Sequence, residues 1–410
     1  MKDYDLTAVY QSGAYQRLLS LRSEICRYLF EREEAVDLVL AAFLCGHNVL
    51  FISKPGTAKS LMLSLLCRSI EDSRYFYTEL FRFTQPDVIF GPVDIRILQS
   101  EAKARHNTDG YLPSAHFALV DEIFSGNPAI IQGMSPILNP DQRVFPNGDE
   151  EVACPTISVV AGTNRLPDFT DEHFDLEKVW DRILFRAFLE PIDEQENFLK
   201  LLGLREVPKK LSTAVRLDEL LGFREDLAKV EVLPEIYELL WDLSERFAKE
   251  EIWVSDRRWR WTVVALRAIA FLNQRAQVVP EDFLTLQHVF WNDLSEIQPV
   301  FLAILEVVFP SYIEAVRLYA AAREALKIVQ DDSADVADRF EQKVEIANIQ
   351  ERLEELVLES RSGWEQQNIN EFTEKVESIW FFVEGIFGDL EPPPDEDEEE
   401  AEDEDPDEEA

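Results

Sequence analysis

The chain has 410 residues, of which 46% are hydrophobic and 29% are charged, as in proteins that fold around an apolar core. Its 80 acidic residues outnumber its 40 lysines and arginines, which gives a formal net charge of −40. Nucleic-acid backbones and anionic membranes are bound by basic surfaces, so we expect neither as the main partner. The charge is uneven, because residues 389–410 contain 15 acidic and no basic side chains.

The sequence shows neither a metal-binding cysteine pattern nor a targeting segment. Its four cysteines, Cys26, Cys45, Cys67 and Cys154, are far apart, which favours reduced, buried side chains over disulfide bonds or metal ligation. The first residues lack a basic region followed by an apolar run, and no apolar stretch is long enough to cross a bilayer. We therefore expect a cytoplasmic protein without a signal peptide or an integral membrane segment.

Helix and strand patterns alternate over residues 1–190. Apolar periodicity predicts two helices within residues 18–44 and another over residues 60–70. Short apolar runs predict five strands, over residues 48–52, 75–83, 117–123, 156–162 and 183–189. Five short strands joined by helical connections indicate an α/β domain with a parallel sheet and helices on both faces.

The strand signals stop near residue 191. Helical periodicity over residues 191–297 predicts an all-helical second domain, and residues 298–388 continue as a third, helical segment. Within that segment, apolar residues amid dense charge over Val336–Glu359 predict an exposed antiparallel helical hairpin. Three prolines at 392–394 and the acidic run predict a disordered tail over residues 389–410, which is either a solubilising extension or a ligand for a basic partner.

The strongest chemical signal is the loop over residues 53–60, which follows a predicted strand and begins a helix. Such a loop wraps its backbone N–H groups around a phosphate, and the helix N-terminus adds a further anion site. Lys59 would neutralise the β- and γ-phosphate oxygens, and the Ser60 hydroxyl would coordinate Mg²⁺. The pattern calls for glycine where this chain has Ser53 and Ala58, so an ordinary strand–turn–helix remains an alternative.

Polar side chains follow two further predicted strands. Asp121 and Glu122 end one apolar run, and Asn164 follows another. The carboxyl ends of parallel strands meet at one edge of a sheet, so these side chains would face the loop. Asp121 can then hold Mg²⁺ through water, Glu122 can act as general base, and Asn164 can orient the attacking water. The alternatives are solvent-exposed acids for the carboxylates and a turn-forming role for Asn164.

These motifs occur in a fixed order: SKPGTAKS, FALVDEIF and VVAGTNRLP, followed by a helical domain. Together with segments 82–87, 110–113, 179–183 and 253–259, they span about residues 20–300. The set resembles AAA+ ATPases of the MoxR family, most closely its RavA-like branch. That branch tolerates alanine before the loop lysine, which leaves Ser53 as the departure. The resemblance implies a P-loop fold with a five-stranded parallel sheet flanked by helices, an all-helical lid and a C-terminal helical segment.

The resemblance also implies roles for individual residues. Nucleotide binding is assigned to Pro55, Gly56, Thr57, Ala58, Lys59, Ser60, Leu61, Asp121 and Arg257, and Mg²⁺ to Ser60 and Asp121. Arg182 matches the arginine finger, which reaches the γ-phosphate bound by a neighbouring subunit, and Arg186 is the fallback candidate. Arg257 matches the sensor-2 arginine of the lid, which contacts the nucleotide in cis, and Arg258 is the alternative.

The function implied by the resemblance is Mg²⁺-dependent ATP hydrolysis by a homohexameric ring. Its output would be chaperone-like remodelling or maturation of a protein client, with a von Willebrand factor A domain protein as the expected partner. RavA-like proteins can contain a small β-rich insertion, for which residues 298–388 give no signal. One alternative is a nucleotide-gated assembly scaffold with little or no hydrolysis, which Ser53 motivates. Another is an acidic decoy that binds basic proteins through its tail.

Overall fold

The computed structural model describes residues 6–166, 174–331 and 333–387, and the predicted disordered tail lies outside them. The chain divides into two units. One contains the described residues up to Glu238 together with Ala248–Val300, and the other contains Leu239–Phe247 and the described residues from Phe301 to Phe387. The predicted α/β core and most of the predicted lid fall within the first unit, whereas Leu239–Phe247 of the lid belongs to the second, so the boundary near residue 190 remains a prediction.

The first unit is built on a five-stranded parallel sheet, which confirms the predicted fold class. The strands in chain order are β1 (Val49–Ser53), β2 (Ile70–Glu71), β3 (Tyr75–Glu79), β4 (Phe117–Asp121), β5 (Val144–Asn147), β6 (Glu150–Ala153), β7 (Ser158–Thr163), β8 (Phe185–Leu189) and β9 (Val215–Arg216). The main sheet has the order β3–β4–β7–β1–β8, and every neighbouring pair is parallel. All residues of β1 and β7 are buried, as expected for inner strands covered on both faces.

Helices account for most of the remaining described chain. In chain order they are α1 (Thr7–Tyr10), α2 (Gly13–Cys26), α3 (Glu33–Cys45), α4 (Lys59–Arg68), α5 (Pro86–Phe90), α6 (Ile95–Glu101), α7 (Pro128–Leu138), α8 (Phe174–Asp181), α9 (Gln195–Gly203), α10 (Leu217–Asp226), α11 (Pro234–Lys249), α12 (Asp256–Leu272), α13 (Ile297–Val308), α14 (Pro310–Gln330), α15 (Val336–Glu359) and α16 (Gly363–Phe387). Ser255 starts α12, because its hydroxyl accepts the backbone N–H of Arg258.

Two short strand pairs lie outside the predicted sheet. β5 and β6 form an antiparallel hairpin that turns at Gly148, where φ is +69°. β2 pairs in parallel with β9, beyond the point at which strand signals were expected to stop. The hairpin strands have only four residues each, with Pro146 and two glutamates among them, and β9 has only two residues, so neither gives the apolar pattern by which a strand is recognised.

The described part of the second unit contains a three-helix bundle, where the sequence predicted a helical bundle or hairpin over residues 298–388 with a hairpin suggested at Val336–Glu359. Val336–Glu359 is one continuous helix, α15, because no turn residue interrupts it, and it packs between α14 and α16. The shared core consists of Ala315, Ala322, Ala325, Val329, Ile346, Ile349, Leu353, Leu356, Ile369, Val376, Val383 and Phe387. Residues 298–331 and 333–387 contain no strand, which agrees with the absence of a β-rich signal there.

All four cysteines are free thiols. Within the described ranges, no single helix is both long and apolar enough to cross a membrane, although Leu294–Val308 and Pro310–Gln330 meet that test together as a bent pair.

Candidate nucleotide-binding site

The loop between β1 and α4 places the predicted phosphate-binding residues at the carboxyl edge of the sheet. β1 ends at Ser53 and α4 begins at Lys59. Gly56 has φ +91° and Ala58 has φ +63°, both in the left-handed region. A Cβ atom on Gly56 would meet no atom within 4 Å, so the backbone conformation and not the available space favours glycine there.

Ser53, the departure from the loop pattern, is an ordinary strand residue in this structure. It pairs with Leu189 in the parallel register of β1 and β8, and it is buried. Extended backbone is accessible to any residue, so a serine at this position requires no unusual backbone conformation. The loop geometry therefore tolerates the substitution that motivated the scaffold alternative.

Lys59, Ser60 and Asp121 form a single cluster. The Lys59 Nζ lies 2.8 Å from Asp121 Oδ1, and the Ser60 Oγ donates a hydrogen bond of 2.8 Å to Asp121 Oδ2. The Lys59 and Asp121 side chains are only 7% and 13% exposed, so their attraction is weakly screened by water. An ammonium, a hydroxyl and a carboxylate in this arrangement can hold a phosphate and a hard divalent cation.

Gly162 in β7 makes room for this cluster. A Cβ atom at Gly162 would lie 2.4 Å from Asp121 Oδ1 and 2.6 Å from Lys59 Nζ, closer than real contacts allow. A side chain at this position would displace the Lys59–Asp121 pair, so the close approach of these two functional side chains favours glycine in the strand. Sequence analysis did not assign this role, although a glycine that interrupts a buried strand is the kind of signal that indicates a close approach.

We expect Gly162→Ala to push Lys59 and Asp121 apart and to weaken nucleotide binding, with a loss of about 1–3 kcal/mol in unfolding free energy from overpacking. Gly222→Ala is the matched control, because a Cβ there meets nothing within 4 Å and alanine is favoured in the interior of α10. Urea unfolding and titration with fluorescent ADP measure both effects. If Gly162→Ala matched Gly222→Ala in both stability and ADP affinity, the close approach of Lys59 and Asp121 to Gly162 would be contradicted.

One cavity of about 330 Å³ joins the loop to the ends of the neighbouring strands. Its lining residues are Ser53, Lys54, Pro55, Gly56, Thr57, Ala58, Lys59, Ser60, Leu61, Glu79, Asp121, Glu122 and Asn164. Glu122 and Asn164 thus share a cavity with the loop, as expected from the parallel topology. Glu79 was missed, because the predicted strand ran on to residue 83, whereas β3 ends at Glu79, directly beside Asp121.

Glu122 leaves β4 in the left-handed conformation, with φ +51° and ψ +44°. Its backbone N–H donates to Asp121 Oδ1 at 3.1 Å, and its Oε2 accepts a hydrogen bond of 3.3 Å from Ser125 Oγ. This conformation costs a non-glycine residue about 1–2 kcal/mol. The turn separates the two acids, so that Asp121 bonds to Lys59 and Ser60 while Glu122 occupies another part of the cavity wall.

The predicted finger and lid arginines lie together, and neither lines the cavity. Arg182 donates to the carbonyl and hydroxyl oxygens of Ser135, and Arg257 Nη1 is 3.4 Å from Asp181 Oδ2. Burial lowers the pKa of Arg182, and the nearby Arg257 guanidinium lowers it further. The structure therefore groups Arg257 with Arg182, and not with the loop as the expected cis contact requires.

The two alternative arginines are held inside the fold. Arg258 is 2% exposed and donates to the backbone carbonyls of Val289, Asp181, Leu184, Ile183 and Trp180. Arg186 in β8 is fully buried, lies 4.5 Å from the Trp180 ring and donates to the Trp291 carbonyl. Burial lowers the pKa of Arg258 to about 10 and that of Arg186 as well. Arg258 anchors the start of α12 and so fixes where the adjacent Arg257 lies.

We expect Arg258→Ala to lower the unfolding free energy by about 3 kcal/mol or more, because several buried carbonyls lose their donor. Arg257→Ala should change it by less than about 1 kcal/mol, because the Arg257 side chain is 45% exposed and its ion pair with Asp181 is long. Denaturant unfolding of both variants measures the difference. Similar losses of unfolding free energy in the two variants would contradict the assignment of Arg258 as the structural anchor and Arg257 as a side chain free to act elsewhere.

Comparison with known proteins agrees with this geometry. Residues 16–214 match the family model described as the MoxR domain in the MoxR-vWA-beta-propeller ternary systems, and residues 235–303 match the model of an AAA lid domain. The chain is also 33% identical over 296 residues to an uncharacterized protein of Methanocaldococcus jannaschii, an alignment that covers 72% of this chain and 76% of that protein. This chain belongs to the MoxR family of AAA+ ATPases.

Further matches extend the comparison of this MoxR-family protein. A second uncharacterized protein of Methanocaldococcus jannaschii is 31% identical over 290 residues, which cover 71% of this chain and 75% of the relative. The crystal structure of a candidate ATPase from Cytophaga hutchinsonii superposes with a TM-score of 0.56 and 17% identity, covering 73% of this chain and 97% of that one. At that identity the structural match supports the AAA+ fold alone.

Proposed function

We propose that this protein hydrolyses ATP to ADP and phosphate, with Mg²⁺, in the cavity between the β1–α4 loop and the ends of β4 and β7. The observation that carries the proposal is the cluster of Lys59, Ser60 and Asp121 on the same cavity as Glu122 and Asn164. Membership of an AAA+ ATPase family supports it.

The residues present fit both ligands. The loop N–H groups and Lys59 would bind the phosphates, and the Ser60 hydroxyl and the Asp121 carboxylate would hold Mg²⁺. Mg²⁺ would supply positive charge to the phosphate oxygens as the terminal bond breaks. Glu122 takes the proton of the attacking water, and Asn164 orients that water towards the γ-phosphorus. The bond that forms joins the water oxygen to phosphorus, and ADP leaves.

The scaffold alternative predicts nucleotide binding without turnover. Steady-state release of phosphate by the wild type, compared with Glu122→Gln, distinguishes the two functions. A wild-type rate no higher than that of the variant would contradict hydrolysis and favour the scaffold. The regular strand conformation of Ser53 favours hydrolysis, because it removes the structural reason for an impaired loop.

We further propose that Arg182 and Arg257 act on the nucleotide of the neighbouring subunit in a homohexameric ring. Neither arginine lines the cavity of its own chain, and Asp181 Oδ2 lies 3.4 Å from Arg257 Nη1. A guanidinium that approaches a bound γ-phosphate from another subunit stabilises the charge that develops on the transferring group. The grouping of the two arginines supports joint action in trans.

Mixing Glu122→Gln subunits with Arg182→Ala subunits should restore activity that neither variant has alone. An intact site then combines Glu122 from one subunit with Arg182 from its neighbour, and random mixing makes about a quarter of the interfaces intact. Phosphate release from a 1:1 mixture, with assembly monitored by size-exclusion chromatography, measures the recovery. Mixed rings without recovered activity would show that Arg182 acts within its own subunit.

The proposed output is chaperone-like remodelling or maturation of a protein client, with a von Willebrand factor A domain protein as partner. The description of the matching family model, which names MoxR-vWA-beta-propeller systems, supports that partner. The RavA-like branch and the division into a core (1–190), a lid (191–297) and a C-terminal segment (298–388) stay predictions. Four free thiols fit a reducing compartment, and we propose the cytoplasm. Affinity capture with Glu122→Gln and ATP tests for the partner, because that variant should hold its client.

A further inference from the structure

The first unit contains a second cavity that shares no residue with the nucleotide cavity. It has a volume of about 480 Å³ and lies between the end of α3, the helix α10 with the turn that follows it, and α12. Leu44, Leu221, Leu227 and Val264 contribute apolar walls, and Arg224 and Arg267 contribute cationic groups. This size is typical of cavities that bind small molecules.

The two arginines of this cavity lack partners. Among the described residues, neither Arg224 nor Arg267 has a hydrogen bond or an ion pair from its side chain, and the Arg267 Nε is shielded from solvent. The other described arginines that are at least half-buried donate to carboxylate, carbonyl or hydroxyl oxygens, as Arg143 does with four such acceptors. A guanidinium nitrogen shielded from water without an acceptor is unfavourable, as at Arg267 Nε, and this cavity differs in that neither of its arginines has a side-chain acceptor among the described residues.

The surroundings of Arg224 are cationic. Burial lowers the pKa of Arg224 itself. Burial lowers the pKa of Arg143 to about 9, and the positive charge of Arg224 contributes to that shift. Burial also lowers the pKa of His47 to about 3, and the charges of Arg143 and Arg224 contribute there. Glu225 is the carboxylate on the cavity wall, but it is exposed and pairs with neither arginine. The positive charge therefore lacks a counter-ion within the described residues.

A purely structural role accounts for one of the two arginines. Arg224 lies against Gly46 at the C-terminal end of α3, with its Nη2 2.3 Å from the position that a Cβ would take. A cation is favoured at a helix C-terminus, so this contact alone can explain Arg224. It does not explain why Arg267, on another helix, faces the same cavity with its Nε unsatisfied.

We propose that this cavity binds a small amphipathic anion. A carboxylate or phosphate head would contact Arg224 and Arg267, and an apolar body would lie against Leu44, Leu221 and Val264. Guanidinium groups bind both kinds of head through paired N–H donors. The proposal does not depend on ATP hydrolysis, because no residue is shared between the two cavities.

Isothermal titration of the full chain with octanoate, octyl phosphate and octanol tests the proposal. We expect the two anions to bind and octanol to bind at least tenfold more weakly. Arg224→Gln and Arg267→Gln should each weaken anion binding about tenfold or more, because each removes a charged hydrogen bond. Ala228 lines the cavity and is itself exposed, so Ala228→Trp should fill the cavity with little effect on the core. We expect this variant to reduce binding although it keeps both guanidinium groups. Arg205→Gln, at an exposed arginine, is the matched control.

The nucleotide cavity is a competing site for octyl phosphate, so every titration is repeated with Lys59→Ala. The proposal is supported if anions still bind to Lys59→Ala but no longer bind to the Arg224, Arg267 and Ala228 variants. A cooperative thermal unfolding transition in each variant shows that it is folded. Preference for one head group then identifies the anion as a carboxylate or a phosphate. Unchanged affinity in both arginine variants, equal binding of octanol, loss of binding in Lys59→Ala, or no binding of any probe would overturn it.

Discussion

Lys59→Ala is expected to weaken the binding of ATP and ADP by about 100-fold or more, because it removes the buried ammonium that neutralises the phosphates. It also leaves the Asp121 carboxylate, which is 13% exposed, without its cationic partner, although the Ser60 hydroxyl still donates to it. An unpaired negative charge there repels the phosphate chain. Titration with fluorescent ADP and calorimetry with ATP measure the loss.

Lys54→Ala is the matched control for this experiment. Lys54 lines the same cavity but is exposed, so its charge is screened by water. We expect it to weaken binding only a few-fold by the same measure. If Lys59→Ala bound nucleotide as tightly as the wild type in a folded protein, the loop would not be a phosphate site.

Glu122→Gln is expected to bind ATP with nearly wild-type affinity and to release phosphate about 100-fold more slowly or worse, because an amide cannot accept the proton of the attacking water. The hydrogen bond from Ser125 Oγ to Glu122 Oε2 can be retained by the amide oxygen of glutamine, so the turn after β4 should keep its structure. Single-turnover phosphate release, measured beside ATP titration, separates the chemical step from binding.

Glu79→Gln is the comparison that makes this result specific. Glu79 is a further carboxylate on the same cavity wall, at the end of the strand beside Asp121. We expect Glu79→Gln to retain most of the phosphate release. If instead Glu79→Gln lost turnover and Glu122→Gln kept it, Glu79 would be the general base and Glu122 would be assigned wrongly.

The sheet and the loop were predictable because their signals are local. The inner strands are continuous apolar runs that are buried on both faces, and Lys59 and Ser60 stand together at a strand–helix junction. Parallel topology then brings Glu122 and Asn164 to the same edge without further information. The residues of the site are far apart in the sequence, but each follows a strand of the same parallel sheet, so the sheet topology is enough to predict that they lie close together.

The features that sequence analysis missed depend on contacts between distant segments. The requirement for Gly162 arises from Lys59 and Asp121, which reach the strand from two other elements. The position of Arg257 depends on its neighbour Arg258, whose carbonyl partners lie at the end of α8, in the link between α8 and β8, and at Val289. Glu79 was missed for a smaller reason, since the end of a strand is poorly defined by composition alone.

The Lys59–Asp121 ion pair has a consequence for ligand selectivity. The loop cation is already satisfied by a carboxylate from the next strand but one, so an incoming phosphate competes with an internal anion for the same ammonium. A bare phosphate that displaces Asp121 leaves a stranded carboxylate beside its own negative charge. A phosphate chain that arrives with a divalent cation takes the Lys59 ammonium from Asp121, but its cation then becomes the new partner of that carboxylate. We therefore expect this charge pairing to favour phosphate ligands that carry a divalent cation over those that lack one.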